Sequence, residues 1–464
     1  MEALPRRWAS SANYTKRIVK GPSALLLSCY ELGHQPLGLA LPLAFLANAG
    51  IEARGIDLAV DPLDEDAVRG ATFIGVSVPM HTALRTALDL LPRLRALNPR
   101  AHLSFYGLYA TLNAELLHSS GATSVLSGEL EEELVSLARG VAPGSRAPIL
   151  KRLSFPTPAR GGLAALDRYS RLEIGDGTSK TVGAVETTRG CLHLCRHCPI
   201  PPIYQGRFFV IPQETVLSDV RQLVEAGASH IDFADPDFLN GPGHALSVAR
   251  AIHREFPRVT FNFTAKIEHL VKHHRALGEL SALGCLFVVS AVESLSDRVL
   301  RELDKGHDRK DVFEAHRVLR EAGIALRPTF VPFTPWTTRE DYAGLFHWIA
   351  REGLVENVDA VQLTLRLLIP PGSLLLENES LEPVLGELDP RALTYRWTHP
   401  DSEMDRLQEA AATVVEDGVA RGRSNHSIFH DLARLATCEP DKLDELEEAA
   451  SSNRPPRLTE AWFC

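Results

Sequence analysis

Short apolar runs alternate with amphipathic stretches over the first third of the chain. From Ala24 to about Val141, runs such as ALLLSCY and TFIGVSVP alternate with longer helical patterns such as HTALRTALDLLPRLRALNP. Five strands separated by helices predict an α/β fold with a parallel, doubly wound sheet, because each parallel pair needs a crossover between its strands. Such sheets bind ligands at the carboxyl ends of their strands. No G-x-G-x-x-G follows the first strand, which argues against an ordinary dinucleotide site.

A second alternating pattern begins after a stretch of different composition. Residues 142–162 are rich in Pro, Gly and basic residues, which is typical of an interdomain linker. Six candidate strands follow, and they read VGAVETT, HIDFADP, VTFNFTAK, CLFVVSAVES, ALRPTFVPF and VDAVQLTLRLLIP. Six β/α units predict a partial (β/α)6 barrel of the TIM type. The predicted regions are a sheet domain (23–141), a linker (142–179), a barrel (180–372) and a helical C-terminal region (373–464).

Composition and charge narrow the class of protein. The chain has 464 residues and a formal net charge of -10, which disfavours a non-specific grip on nucleic acid. The longest apolar run, residues 37–50, is shorter than the roughly 20 residues that a membrane span needs, so we expect no membrane partner. The N-terminus has no apolar signal region. Seven cysteines, an odd number and mostly far apart, fit a reducing cytoplasm rather than a disulfide framework.

Three of the cysteines are crowded into the stretch GCLHLCRHCP at 190–199. Cys191, Cys195 and Cys198 follow the first predicted barrel strand, at the carboxyl end where such barrels place their chemistry. Three thiolates can hold an iron-sulfur cluster and leave one iron without a protein ligand. The alternative is a structural zinc site completed by His193 or His197. The spacing favours the cluster, because closed zinc sites usually draw their ligands as two pairs from separate segments.

The spacing C-x-x-x-C-x-x-C after a first barrel strand resembles that of the radical S-adenosylmethionine (radical SAM) superfamily. HIDFADPDFLNG resembles the superfamily segment that contacts the methionine amino group, and VVSAVESLSDRVLRELDKGHDR resembles the fourth strand and its helices. TFVPFTPWTTREDY resembles the fifth-strand exit of one branch, with Phe333 in place of the usual glycine. That branch carries an N-terminal cobalamin-binding-like domain, which QPLGLALPLAFLANAGIEARGIDL, YGLYATLNAELL and SGELEEEL resemble.

The resemblance implies a set of cofactors and a reaction. Cys191, Cys195 and Cys198 would hold a [4Fe-4S] cluster whose fourth iron binds S-adenosylmethionine, and an electron donor such as flavodoxin or ferredoxin would reduce it. The sulfonium would then be cleaved to methionine and a 5'-deoxyadenosyl radical that acts on an unknown substrate. A cobalamin-dependent radical SAM methyltransferase is one alternative. A sensor that binds a metal or cobalamin without catalysis is another.

One motif of the branch, which concerns the binding of cobalamin, is absent from this sequence. The D-x-H-x-x-G motif that supplies the lower axial histidine of cobalamin is not present, since His34 lacks an aspartate two residues earlier. Three alternatives stay open: cobalamin held without a histidine ligand, cobalamin lost, or a sheet reused for another purpose.

Five further residues are candidates for contacts with S-adenosylmethionine, as the resemblance implies. Asp235 would accept a charge-assisted hydrogen bond from the methionine ammonium, although a turn aspartate is an equal alternative. Ser290 and Glu293 would contact the sugar or the methionine end. Lys266 would meet the carboxylate. Arg366 lies inside an apolar run, so we expect a buried functional cation that needs a partner.

The two histidines of the cysteine loop and the C-terminal cysteine also carry predictions. His197 would pack over the cluster without being a ligand, and His193 is expected to have no chemical role. The run that ends in EAWFC resembles the radical SAM proteins with a CUAEP or CCAEP tail, so a selenocysteine codon read as a stop is expected after Cys464. Cys464 would then act as part of a redox pair or bind a soft atom.

Overall fold

The computed structural model describes residues 24–437, except 143, 145–146 and 176, and residues 454–460. The first sheet has five strands, all parallel, in the order β2-β1-β3-β4-β5, which confirms the predicted doubly wound sheet. Its strands are β1 (Ala24–Ser28), β2 (Ala53–Asp57), β3 (Phe73–Ser77), β4 (His102–Tyr106) and β5 (Ser124–Leu126). Its helices are α1 (Leu37–Asn48), α2 (Glu65–Gly70), α3 (His81–Leu97), α4 (Leu108–Leu112), α5 (Ala114–Ser119) and α6 (Glu131–Ala138).

Helices cover both faces of this sheet because its strands are apolar on both sides. β1 and β3 are buried at every position, as strands in an all-parallel sheet are expected to be. One face packs against α1 and α6, and the other packs against α3 and α5. This arrangement leaves the carboxyl ends of β1, β3 and β4 facing the second domain.

The second sheet is a curled half-barrel of seven strands in the order β13-β12-β11-β10-β7-β6-β16. Five strands are parallel: β7 (Ser179–Val185), β10 (His230–Phe233), β11 (Thr260–Thr264), β12 (Cys285–Glu293) and β13 (Ala325–Phe330). Two short antiparallel strands, β6 (Arg171–Glu173) and β16 (Arg457–Leu458), extend one edge. The apolar side chain of Leu458 lies in one cluster with Phe287 and Val182, so the two edges of the curled sheet approach each other.

Helices pack on the outside of this half-barrel, and a small ribbon stands at its mouth. The ribbon pairs β8 (Thr188–Gly190) with β9 (Phe208–Val210). A hairpin of β14 (Leu385–Asp389) and β15 (Thr394–Trp397) follows the barrel. The helices are α7 (Pro201–Tyr204), α8 (Gln213–Glu225), α9 (Pro242–Glu255), α10 (Ile267–Lys272), α11 (His274–Ala282), α12 (Asp297–Glu302), α13 (Arg309–Glu321), α14 (Arg339–Arg351), α15 (Ser402–Ala420) and α16 (Asn425–Ala436). None of the helices in the described residues has the length and apolar character that a bilayer crossing requires.

The sixth predicted barrel strand does not form a strand. Residues Ala360–Thr364 make a 3-10 turn, and only one isolated bridge, between Phe333 and Arg366, joins this segment to the sheet region. The side chain of Gln362 accepts a hydrogen bond from Phe330 N at 3.3 Å, where a sixth strand would use its backbone. The segment therefore lies beside the barrel as a loop, although its apolar pattern resembles that of a strand.

A buried ion pair joins the two domains through the segment predicted to be a linker. Arg160 donates two hydrogen bonds to Asp219 of α8, at 2.6 and 2.7 Å, and one to the carbonyl oxygen of Ala184 on β7 at 2.7 Å. Its third nitrogen donates to Gln35 of the loop after β1 at 2.9 Å. The Arg160 and Asp219 side chains are only 5% and 3% exposed. This clamp holds the carboxyl edge of the first sheet against the barrel.

Candidate functional site

The cysteine loop begins at a glycine that the backbone geometry requires. Gly190 has a φ of +77°, and a Cβ there would lie 2.5 Å from the carbonyl oxygen of Arg207. This left-handed residue turns the chain out of β8, directly before Cys191. Cys191 and Cys195 are buried and Cys198 is half-buried, and none of the three forms a disulfide.

The donor set fits a cluster bound through thiolates. Burial raises the pKa of the Cys198 thiol to about 12, while Lys305 opposes this shift and the charges of Cys191 and Cys195 add to it. The three sulfurs thus lie close enough to act on one another, and a nearby cation compensates part of their charge. Thiolate ligands of this kind suit an iron-sulfur cluster, which these three cysteines would hold.

Hydrogen bonds from distant segments hold the loop in place. Arg196 N donates to the carbonyl oxygen of Leu303 at 2.9 Å, and Ser373 Oγ donates to the carbonyl oxygen of Arg196 at 3.1 Å. Asn240 Oδ1 lies 3.8 Å from Cys191 Sγ and accepts from Leu192 N at 3.4 Å. The loop is therefore positioned by the turn after β10 and by the segments that follow α12 and the barrel.

Glu293 stands at the end of β12 in a strained conformation and faces a lysine and a histidine. Its φ is +65°, a region that non-glycine residues rarely adopt, and the β12–β13 register shifts there. Glu293 Oε1 lies 3.1 Å from His197 Nε2 and 3.2 Å from Lys305 Nζ. Burial raises the pKa of Glu293, but Lys305 and His197 outweigh it and lower the pKa to about 2. A fixed negative charge therefore sits beside the cysteine loop.

Asp235 is hydrogen-bonded to the segment that leads into the cysteine loop. Its carboxylate accepts hydrogen bonds from Thr187 N at 2.9 Å, Thr187 Oγ1 at 2.7 Å and Thr188 Oγ1 at 2.5 Å. Burial raises the pKa of Asp235 to about 7, and these hydrogen bonds oppose the shift. The side chain thus ties the end of β10 to the entrance of β8. Its contact with a methionine ammonium stays a prediction.

The other predicted contacts differ in where the structure places them. Ser290 is fully buried and donates its hydroxyl to the carbonyl oxygen of Ala265 at 2.7 Å, and Lys266 Nζ lies 3.6 Å from Glu268 Oε2. Contacts of Ser290 and Lys266 with S-adenosylmethionine stay predictions.

Arg366 is half-buried, with 29% of its side chain exposed, and it has partners as predicted, while its contact with S-adenosylmethionine stays a prediction. Arg366 pairs with Asp405 of α15 at 2.7 Å and stacks 3.5 Å from the centroid of the Trp397 ring. The segment that carries it is a loop and not an inner strand, so its partners come from the C-terminal region. Cys464 lies outside the described residues.

Sequence reasoning missed Lys305 and Asn240. Lys305 belongs to DKGH, a stretch that reads only as a helix end, and Asn240 lies in a short turn, so neither carries a local signal. Both residues reach the cysteine loop because the segments that follow β10 and β12 lie at the same end of the barrel as that loop.

Two histidines lie near the carboxyl edge of the first sheet. His34 Nε2 lies 3.2 Å from Asp232 Oδ2 of β10, and burial lowers the pKa of His34 to about 4. His81, at the start of α3, is bound to the carbonyl oxygen of Ala392 at 2.7 Å. Both imidazoles are engaged in these contacts, and the three alternatives for cobalamin stay open.

Comparisons with known proteins agree with this geometry. Residues 185–349 match the family model of the radical SAM superfamily. Hopanoid C-3 methylase of Methylococcus capsulatus is 24% identical over 355 residues, which cover 73% of this chain and 68% of that protein. A tRNA-2-methylthio-N(6)-dimethylallyladenosine synthase of Chlorobium phaeovibrioides is 31% identical over 158 residues, which cover 31% of this chain and 34% of that protein. The chain thus spans about a third of that synthase.

Two solved structures share the fold over most of this chain. The cobalamin-dependent S-adenosylmethionine radical enzyme OxsB, with aqua-cobalamin and S-adenosylmethionine bound, has a TM-score of 0.71 at 14% identity and covers 92% of this chain and 70% of its own. The radical S-adenosylmethionine methyltransferase TsrM from Kitasatospora setae has a TM-score of 0.57 at 17% identity and covers 71% of this chain and 73% of its own. The cysteine loop lies within the matched residues, so this chain is an enzyme with a radical SAM domain at 185–349, and the cofactors of such a domain are a [4Fe-4S] cluster and S-adenosylmethionine.

Proposed function

We propose that this enzyme cleaves S-adenosylmethionine reductively and directs the resulting radical to a substrate held between its two domains. The observation that carries the proposal is the loop of three free thiols at the mouth of the half-barrel. When bound there, a [4Fe-4S] cluster supplies the electron that splits the sulfonium into methionine and a 5'-deoxyadenosyl radical. The protein's own residues bind, orient and shield the reactants.

Glu293 and Lys305 are the proposed orienting charges beside the cluster. Glu293 is ionised and nearly buried, so it offers a carboxylate to the methionine ammonium or to the ribose hydroxyls. Lys266, at the end of β11, offers an ammonium to the methionine carboxylate. Asp235 and Ser290 support these contacts by fixing the ends of β10 and β12.

An apolar patch on the cysteine loop is the proposed docking surface for the electron donor. Leu192 and Leu194 are 45% and 50% exposed. Large apolar side chains that cluster at the surface usually mark an interaction site. Arg207 is exposed as well, and it lies close to this patch, since the preceding residue Gly206 is next to the side chain of Leu194. An exposed guanidinium beside an apolar patch suits an acidic protein such as flavodoxin or ferredoxin.

Methyl transfer through cobalamin is the second candidate function. It is favoured by the two-domain fold shared over 92% of the chain with OxsB, which binds aqua-cobalamin. The corrinoid would lie at the carboxyl edge of the first sheet, where His34 is bound to Asp232 and would not be its ligand. Bound corrinoid after purification or reconstitution distinguishes this function from one that uses the deoxyadenosyl radical alone.

The C-terminal tail of the CUAEP or CCAEP type belongs to the proposal as well. Residues 457–460 run along the edge of the barrel sheet, and Tyr30 donates a hydrogen bond to Glu460 Oε1 at 2.6 Å. The chain thus passes the loop after β1, between the domains, four residues before Cys464. A redox or substrate-capturing role of Cys464 is supported by the resemblance of the tail, and a UAA or UAG codon after Cys464 would contradict the selenocysteine hypothesis.

An anaerobic reconstitution tests the proposed function. Iron, sulfide, zinc and corrinoid are quantified per chain, and 5'-deoxyadenosine is measured after addition of dithionite and S-adenosylmethionine. About four Fe and four S with deoxyadenosine formed are expected, and Cys195→Ala should abolish both. A full cluster without cleavage would favour a sensor, and one zinc without iron would mean that the cysteine loop is structural.

A further inference from the structure

Two imidazole rings and a buried carboxylate converge beside the cysteine loop. His193 Nε2 lies 3.3 Å from His269 Nε2 and 4.0 Å from Asp237 Oδ2. Asp237 is fully buried and His269 is 5% exposed. One donor atom from each of the three residues lies within 4.8 Å of the other two. We propose that His193, His269 and Asp237 bind a divalent transition-metal ion at a site of their own, next to the cluster.

The spacing of the two imidazoles matches that of two ligands on one ion. Zinc binds imidazole nitrogen at about 2.0–2.1 Å, and a tetrahedral angle between two such bonds puts the nitrogens about 3.3 Å apart. This equals the separation of the Nε2 atoms of His193 and His269. Asp237 Oδ2 lies 4.0 Å from His193 Nε2, so the carboxylate is the third donor beside this pair.

The carboxylate of Asp237 also holds the ring of His269. His269 Nδ1 lies 2.7 Å from Asp237 Oδ2, within ion-pair distance, and Nε2 of the same ring is the atom that lies 3.3 Å from His193 Nε2. The other carboxylate oxygen of Asp237 accepts from Leu239 N at 3.0 Å, which fixes the direction of Oδ2. Such outer contacts are typical of metal ligands.

The three ligands come from three segments of the chain. His193 lies within the cysteine loop, Asp237 follows β10, and His269 lies on α10. A bound ion would therefore brace the loop that carries Cys191 and Cys195. Two imidazoles and one carboxylate suit zinc or iron(II), and they leave at least one coordination position for water or another small ligand. The site also assigns a role to His193, for which the sequence predicted none.

Zinc titration of the cluster-loaded enzyme tests the site. The reconstituted protein is treated with a chelator, its iron content is verified, and Zn²⁺ is added in competition with a chromophoric indicator. We expect one tightly bound zinc per chain, and X-ray absorption at the zinc edge should show N/O ligands at about 2.0–2.1 Å without sulfur at about 2.3 Å. His269→Ala should weaken zinc binding at least tenfold, as even the loss of an outer contact does.

A matched histidine pair provides the control. His426 and His430 on α16 also have their Nε2 atoms 3.3 Å apart, far from the cysteine loop in sequence, so His426→Ala should leave the tight zinc site unchanged. Loss of zinc in His426→Ala but not in His269→Ala would overturn the proposal, as would a zinc-sulfur shell or no zinc in the cluster-loaded enzyme. If His269→Ala does not retain its iron, His269→Gln replaces it, provided that this variant has a full iron content. The same zinc titration of that variant then tests the site.

Discussion

The buried clamp around Arg160 is expected to carry a large share of the interdomain stability. In Arg160→Met the side chain keeps its approximate length but loses the charge and four hydrogen bonds, to Asp219, Gln35 and the carbonyl oxygen of Ala184. Asp219, 3% exposed, is left as a buried carboxylate without its partner. Removing one member of a buried pair costs about 3–5 kcal/mol, because the remaining charge is uncompensated.

An exposed pair on the same helix provides the matched control. Arg221 of α8 also makes a two-pronged contact, with Glu255 at 2.7 and 2.9 Å, but these side chains are 37% and 36% exposed. Exposed pairs contribute about 0–1 kcal/mol, so Arg221→Met should be nearly neutral. The difference between the two variants isolates the effect of burial from the loss of a guanidinium.

Urea unfolding of the cluster-free protein, followed by circular dichroism and tryptophan fluorescence, measures both variants. Burial raises the pKa of Asp219 even with Arg160 bound, so in Arg160→Met the carboxyl takes up a proton more readily. The cost of the mutation should therefore be greatest at high pH and shrink as pH falls, because a protonated Asp219 is neutral. Equal unfolding free energies for Arg160→Met and Arg221→Met at pH 8 would refute this account of the clamp.

Three further predictions concern the loop, the patch and the barrel interior. Gly190→Ala should lower the iron content sharply, because its Cβ would clash at a positive φ, whereas Gly243→Ala, with no atom within 4 Å of the new Cβ, should load normally. Leu194→Ser should slow cluster reduction by flavodoxin and leave reduction by dithionite unchanged, and Val419→Ser, exposed on α15, should change neither; equal effects with both reductants would contradict the docking surface. Burial lowers the pKa of His230 to about 3, so the unfolded chain binds a proton that the folded chain does not between pH 6.5 and 3. The free energy of unfolding therefore decreases as the pH is lowered, by up to about 1.4 kcal/mol per pH unit. Urea midpoints measured from pH 4 to 7 should depend less steeply on pH in His230→Gln.

The local patterns of the sequence predicted most of the secondary structure and the chemistry of the cysteine loop. The five strands of the first sheet and the five parallel strands of the barrel follow from apolar runs whose length and period depend only on neighbouring residues. The apolar run around Ala360 has the same period, yet it forms a turn, because Gln362 occupies the hydrogen-bonding edge of β13. Periodicity reports burial and not the partner that a segment pairs with.

Two further features show the same limit. β6, within the predicted linker, and β16, near the C-terminus, extend the barrel sheet although each has only two or three residues. Arg366 has an apolar sequence context, but its neighbours in space are Asp405 and Trp397. Neither the edge of the sheet nor the surroundings of the arginine can be read from adjacent positions.

The sequence by itself determined the fold class, the three cysteines and their spacing, because helix and strand periods and a short ligand loop are local properties of the chain. Only the tertiary structure decided which distant groups meet. Glu293 joins Lys305, Arg160 joins Asp219, and His193 joins His269 at separations of 12, 59 and 76 residues. The physical reason is that these charges and rings act over a few ångströms in space, and the closure of the barrel against the first sheet creates those contacts.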